Sequence, residues 1–120
     1  MWVFLQGEVR RIGNTFVWSW AGWRAAWASE MTLRQWSIVN VLSAALAFSV
    51  DLTPGERALI LALGLLILAA ELANTALEVA IDYISTEQHP LAKKAKDCGS
   101  ACVALTALAG GVAWVVLLIG

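Results

Sequence analysis

Between residues 71 and 82 the sequence Glu71-Leu-Ala-Asn-Thr-Ala-Leu-Glu-Val-Ala-Ile-Asp82 sets three carboxylates and one amide among apolar residues. At about 100° per residue, Glu71, Asn74, Glu78 and Asp82 fall within an arc of roughly 80°, so a helix here projects all four from one face. A half-buried carboxylate is pushed towards its neutral form by desolvation, which suits a general base, and carboxylate oxygens suit a hard cation such as Mg²⁺. The chain has no Gly-x-x-x-x-Gly-Lys-[Ser/Thr] loop and no kinase-type glycine loop. Phosphate chemistry would therefore rest on metal-bound carboxylates and cationic side chains. Glu30, and Lys96 with Asp97, are the further groups that could join such a site. Phosphoryl transfer is one chemistry this set can perform; conducting ions or protons is another.

These residues must be held by membrane-embedded helices. Hydrophobic residues make up 60% of the 120 positions and charged residues 14%, against roughly 45 to 50% and 25% in a soluble domain. Ionisable groups at membrane depth are costly, so a functional role facing protein or water is their default reading. One domain, residues 1–120, is expected. A bilayer core of roughly 30 Å needs about 20 helical residues, and three stretches suffice: 32–50, 56–84 and 98–119. Asp51-Leu-Thr-Pro-Gly-Glu56 reads as a short turn between the first two, with Glu56 as an early helical anion. The uninterrupted run Ala58 to Ala70 covers only about 20 Å, so the second span must recruit Glu71 and Asn74. Glu78 then lands near the hydrocarbon boundary and Asp82 among the headgroups.

Cation placement gives the orientation. Arg10, Arg11, Arg24, Arg34, Lys93, Lys94 and Lys96 flank one side, with Arg57 alone on the other. The positive-inside rule then puts the N-terminus and the loop near 85–95 in the cytosol and the C-terminus outside. Ahead of the spans, Ile12, Phe16, Trp20, Trp23 and Trp27 recur at helical spacing, with Arg10, Arg11 and Asn14 off the stripe. Residues 8–28 are expected to form an amphipathic helix on the cytoplasmic membrane surface. The apolar start Met1-Trp-Val-Phe-Leu5 is too short for the core of a signal peptide.

Other features carry less. Cys98 and Cys102, four apart on one helix, lack the partners of a zinc site and read as packing residues. Gly99-Ser-Ala, Ala104, Ala107 and Gly110-Gly111 allow close helix contact in lipid. His89 by itself is an ordinary loop histidine. The formal net charge of −1, without a basic stripe, excludes a nucleic-acid partner.

At Glu71-x-x-Asn-Thr-Ala-Leu-Glu-x-x-x-Asp82 the chain resembles the small integral-membrane diacylglycerol kinases of bacteria. Gly22-Trp-Arg-Ala-Ala-Trp27, Glu30, Glu87-Gln-His89 and Ala95-Lys-Asp-Cys-Gly-Ser100 reinforce the resemblance. It implies an all-α membrane protein, a surface helix plus three transmembrane helices, assembled as a homotrimer with active sites between subunits. The implied activity is direct in-line phosphorylation of sn-1,2-diacylglycerol to phosphatidic acid by ATP and Mg²⁺ at the bacterial inner membrane. Carried over by resemblance, Glu71 would be the general base, while Glu30 and Glu78 would hold magnesium on the ATP phosphates. Asn74 would orient them, and Lys96 would stabilise phosphate charge. Arg11, Trp18, Glu87, His89 and Asp97 would contact the nucleotide, with Asp82 in support. Arg24, Trp27 and Ser100 would meet the lipid. Two positions depart from the usual pattern: Ala73, where a larger aliphatic residue is common, and Trp18, where a Tyr often contacts the nucleotide.

A sister group in the same family acts on undecaprenol; Arg24-Ala-Ala-Trp27 favours the diacylglycerol branch. An ion or proton conduit would need polar residues along whole spans, and the outer halves of these three segments carry no ionisable relay.

Overall fold

A computed structural model describes residues 1–120. Four helices and no strands make up the chain: α1 (Trp2–Ser29), α2 (Met31–Ser49), α3 (Pro54–Ile84) and α4 (Pro90–Ile119). They fall into two compact units, Met1–Glu30 and Met31–Gly120.

The first unit is α1 alone. It starts at Trp2, ahead of the amphipathic stretch that begins near residue 8; the helix runs on through Gln6 and Gly7 with no proline to stop it. Ile12, Phe16 and Trp20 are exposed, and Trp23 stacks on Trp27 with ring centroids 5.8 Å apart. Glu30 ends the helix in an extended conformation, its N–H donating to the Ala26 carbonyl.

In the second unit α3 is central, packing against both α2 and α4. Two apolar clusters hold it: Ala47, Leu52 and Ile60 at one end, and Ile67, Ala70 and Val103 further along. α2 and α4 meet through Trp114, whose Nε1 donates to Ser43 Oγ at 2.8 Å. The turn before α3 is fixed by a capping box. Glu56 N–H donates to Thr53 Oγ1 at 3.3 Å, and Thr53 N–H to Glu56 Oε2 at 3.2 Å, with Pro54 as the first helical residue. Arg57, the one cation at this end, donates to the carbonyls of Ala47 (2.9 Å) and Leu52 (3.2 Å) and sits over the Phe48 ring. It thereby satisfies an acceptor that the end of α2 leaves open.

α3 and α4 are long and apolar enough to cross a membrane. α2 has 19 residues and a higher proportion of polar ones, among them Arg34, Gln35 and Asn40. Several of these polar groups are tied to the helix's own backbone: Ser37 Oγ donates to Leu33 O (2.8 Å) and Asn40 Nδ2 to Trp36 O (3.2 Å). α4 begins at Pro90, well before the apolar run opening at residue 98. Proline suits the first helical position, and His89 caps it by accepting the Leu91 N–H at Nδ1, 3.1 Å. Lys96 and Asp97 therefore lie inside α4, not at its start. Cys98 and Cys102 are free and exposed, so they do not pack into this chain's core as the sequence suggested.

Candidate active site

α3 carries Glu71, Asn74, Glu78 and Asp82 along one face, a strip about 16 Å long at 1.5 Å per residue. The three carboxylates differ in depth and in partner. Glu71 is the one buried charged side chain of the protein, 4% exposed. Its Oε2 accepts a hydrogen bond from Thr32 Oγ1 at 3.2 Å. Glu78, half-buried, accepts at Oε1 from Asn74 Nδ2 at 3.3 Å. Asp82 is exposed and pairs through Oδ1 with Lys96 Nζ at 2.7 Å.

Asn74 is pinned from the α4 side. Its Oδ1 is buried without a hydrogen-bond partner, and it lies against Gly99, where an added Cβ would overlap it. Gly99 thus lets α4 approach α3 at the level of the polar face, a close-packing use of glycine between membrane helices. At the end of the strip, Asp82, Glu87, His89, Lys93, Lys96 and Asp97 line an open cavity of about 220 Å³. Lys93 Nζ and Asp97 Oδ2 are 2.5 Å apart. Ser100 is exposed on α4, one residue beyond Gly99.

The remaining candidates belong to the first unit, on α1 or at its C-terminal cap. Arg11 pairs with Glu8 at 3.1 Å, and Trp18 is 66% exposed. Arg24 and Trp27 share a shallow concavity with Trp20 and Trp23. Glu30 accepts from Ser29 Oγ at 3.3 Å through Oε1.

No three His, Cys, Asp or Glu side chains converge as a ready-made metal site. Magnesium does not need one when phosphates supply its other ligands, since it is commonly bound by one or two carboxylates plus substrate oxygens and water. Glu78 fits that use: its Oε2 makes no hydrogen bond in the chain, while Oε1 is steadied by Asn74. Sequence reasoning missed Thr32, whose partner lies 39 positions away. It read Gly99 as packing alone, although the residue also sets the position of Asn74.

Apolar helices ending in a graded acidic face define a helical membrane protein with a site open at one end of its long helices. Lysines paired with carboxylates at that opening suit a phosphorylated ligand. The chain belongs to the prokaryotic diacylglycerol kinase family, whose description, "Prokaryotic diacylglycerol kinase", matches residues 17–118. It is 44% identical over 117 residues to a diacylglycerol kinase of Pseudomonas aeruginosa strain PAO1, covering 96% of this chain and 94% of that one. It is 35% identical over 108 residues to the diacylglycerol kinase of Escherichia coli strain K12, covering 90% and 88%. A Haemophilus influenzae diacylglycerol kinase is 34% identical over 101 residues, covering 84% and 86%.

Proposed function

We propose that this protein transfers the γ-phosphoryl group of ATP to the free hydroxyl of sn-1,2-diacylglycerol, giving phosphatidic acid and ADP at the cytoplasmic face of a bacterial membrane. It is a lipid kinase. The observation that carries the reading is the graded face of α3, from a buried Glu71 to an exposed Asp82 paired with Lys96. A lipid hydroxyl approaches such a face from the bilayer and a nucleotide approaches from water. Both can reach one reaction centre without the lipid leaving the membrane.

Glu71 takes the hydroxyl proton. The freed oxygen forms its bond to the γ-phosphorus in line with the bond to ADP, which breaks and leaves its electron pair on ADP. Burial favours Glu71 for this step, because it keeps bulk water from competing with the lipid hydroxyl for the carboxylate. Glu78 and Glu30 are the residues that would hold magnesium, with Asn74 fixing the Glu78 carboxylate. When bound, the ion neutralises charge on the ATP phosphates. Lys96 stabilises the phosphates as well. Its pair with Asp82 is partly exposed, 38% and 54% on the two side chains, and ion pairs open to solvent are worth only about 0 to 1 kcal/mol. Exchanging Asp82 for phosphate oxygens therefore costs little.

Arg11, Trp18, Glu87, His89 and Asp97 complete the nucleotide side, and Arg24, Trp27 and Ser100 the lipid side. We place three spans in the membrane, counting α2, because its serines and Asn40 satisfy themselves on helix carbonyls or Trp114, as lipid requires. The exposed apolar faces of the helices and the openness of the acidic strip favour a trimer in which neighbouring copies close each site. The N-terminus is cytoplasmic and the C-terminus outside.

Purified protein in mixed micelles, given labelled ATP and Mg²⁺ with diacylglycerol or undecaprenol separately, tests the reading. Label should enter phosphatidic acid. Label in undecaprenyl phosphate alone would transfer the assignment to the sister activity, and no labelled lipid in either arm would refute a lipid kinase.

A further inference from the structure

Thr32 stands on α2 within the first turn, and its hydroxyl makes the single side-chain hydrogen bond that Glu71 receives, Oγ1 to Oε2 at 3.2 Å. We propose that Thr32 is a positioning residue for the reaction: it holds Oε2 of Glu71 and so leaves Oε1 as the atom that accepts the proton. The inference rests on Glu71 being the base.

A carboxylate has two oxygens and a rotatable end, so a buried one without a donor has no defined proton-accepting atom. At Glu71 the two oxygens are made unlike by one neighbour. Oε2 is occupied by the hydroxyl, and Oε1 makes no hydrogen bond in the chain. The donor itself is well anchored. Leu33, the next residue, is fully buried at 0% exposure and fixes the rotation of α2, which orients Thr32 on the adjoining side. Thr32 is otherwise exposed, so packing makes no demand for a β-branched alcohol here. The hydroxyl is neutral, so it orients the carboxylate without placing a full charge beside it.

The balance of the step is simple. The lipid O–H bond breaks, the Oε1–H bond of Glu71 forms, and the Thr32 hydroxyl keeps its own proton throughout. Misplacing a reacting atom by about 1 Å can cost on the order of 100-fold. A carboxylate freed to rotate while remaining in its pocket should lose less, roughly tenfold.

The test is a cycle of steady-state measurements on the full-length protein in mixed micelles with diacylglycerol and Mg·ATP. Thr32→Val should lower kcat about tenfold with both KM values unchanged, and Thr32→Ala should match it, since each removes the donor. Thr32→Ser restores a hydroxyl and should return kcat to within about twofold of the parent, a rescue that a purely structural role for the methyl group would not give. In a Glu71→Gln background, Thr32→Val should cause no further loss, because the group it positions is gone. Unchanged kcat in Thr32→Val, failure of the Ser rescue, or a further tenfold loss on top of Glu71→Gln would each overturn the role of Thr32 while leaving Glu71 as base. Full turnover in Glu71→Gln alone would remove the base itself, and the inference with it.

Discussion

Replacing Gly99 with alanine should separate activity from stability in this protein. The new methyl group falls on the Asn74 amide oxygen, whereas the Asn74 backbone is at ordinary contact distance. The flexible end of Asn74 therefore gives way before the helices part. Turning that amide breaks its donation to Glu78, a 3.3 Å bond to a carboxylate. Hydrogen bonds to charged groups are worth about 1.5 to 3 kcal/mol, and this long one belongs near the lower end. Against that stands a helix-propensity gain of about 0.8 to 1.0 kcal/mol for Gly→Ala. The sum is a loss of about 0.5 to 1 kcal/mol, a shift of no more than a few degrees in the unfolding midpoint. The catalytic site has no such compensation. If Asn74 orients Glu78 for the metal and nucleotide, kcat/KM for ATP should fall by about tenfold, which is what about 1.4 kcal/mol corresponds to. Thermal unfolding in detergent and initial rates at varied Mg·ATP would measure the two effects on one preparation. Asn74→Ala supplies the control, because in that background Gly99→Ala has nothing to displace and should change kcat/KM no further. A variant with kcat/KM within twofold of the parent, or an equal loss in both backgrounds, would refute the coupling of Gly99 to the site.

Three further outcomes are expected. Glu78→Gln should weaken Mg·ATP binding, whereas Glu71→Gln should leave it largely intact and lower turnover by roughly 10² to 10⁴; calorimetric nucleotide titration beside the rate assay distinguishes them, and the reverse pattern would exchange the two roles. A cysteine placed at Thr53 in a variant lacking Cys98 and Cys102 should react with an impermeant thiol reagent outside intact cells, and one at Gln88 should not; reversed labelling would overturn the orientation. Glu71→Gln and Asp97→Asn proteins, each strongly impaired alone, should gain activity above either parent when unfolded and reassembled together, and verified mixed oligomers with no gain at any ratio would refute sites built from two chains.

Much of this arrangement is legible in the sequence because it depends on local spacing. The positions of Glu71, Asn74, Glu78 and Asp82 need only the helical period, and the Asn74–Glu78 bond joins neighbours one turn apart. The turn at residues 51–56 is local as well, and its capping box joins Thr53 and Glu56. What escaped depends on side-chain packing between distant segments. Nothing near Thr32 announces that it faces Glu71, nor does anything near Ser43 announce Trp114. The start of α4 was obscured for another reason. An apolar run marks where a helix enters lipid, but Pro90 and the His89 cap mark where the helix begins, and here the two points differ by two turns. That difference is functional under the proposed reading, because it places Lys96 on a helix beside Asp82 and not in a loose connection.

The partners of the three carboxylates also bear on why one helix can serve two substrates of opposite character. The deepest carboxylate is paired with a neutral hydroxyl, which occupies one oxygen and leaves the other open. The next, Glu78, meets an amide, which fixes one oxygen yet contributes no positive charge to repel a cation. Only Asp82, at the exposed end, meets an ammonium group, and there solvent screening keeps the attachment weak enough to be exchanged. Reversing the order would fail at both ends. A lysine beside Glu71 would compete with the lipid hydroxyl for its oxygens, and a lone threonine beside Asp82 would leave no cation for the phosphates. The sequence of partners, hydroxyl, amide, ammonium, follows the rise in exposure from Glu71 to Asp82 and gives each proposed role the electrostatic environment it requires.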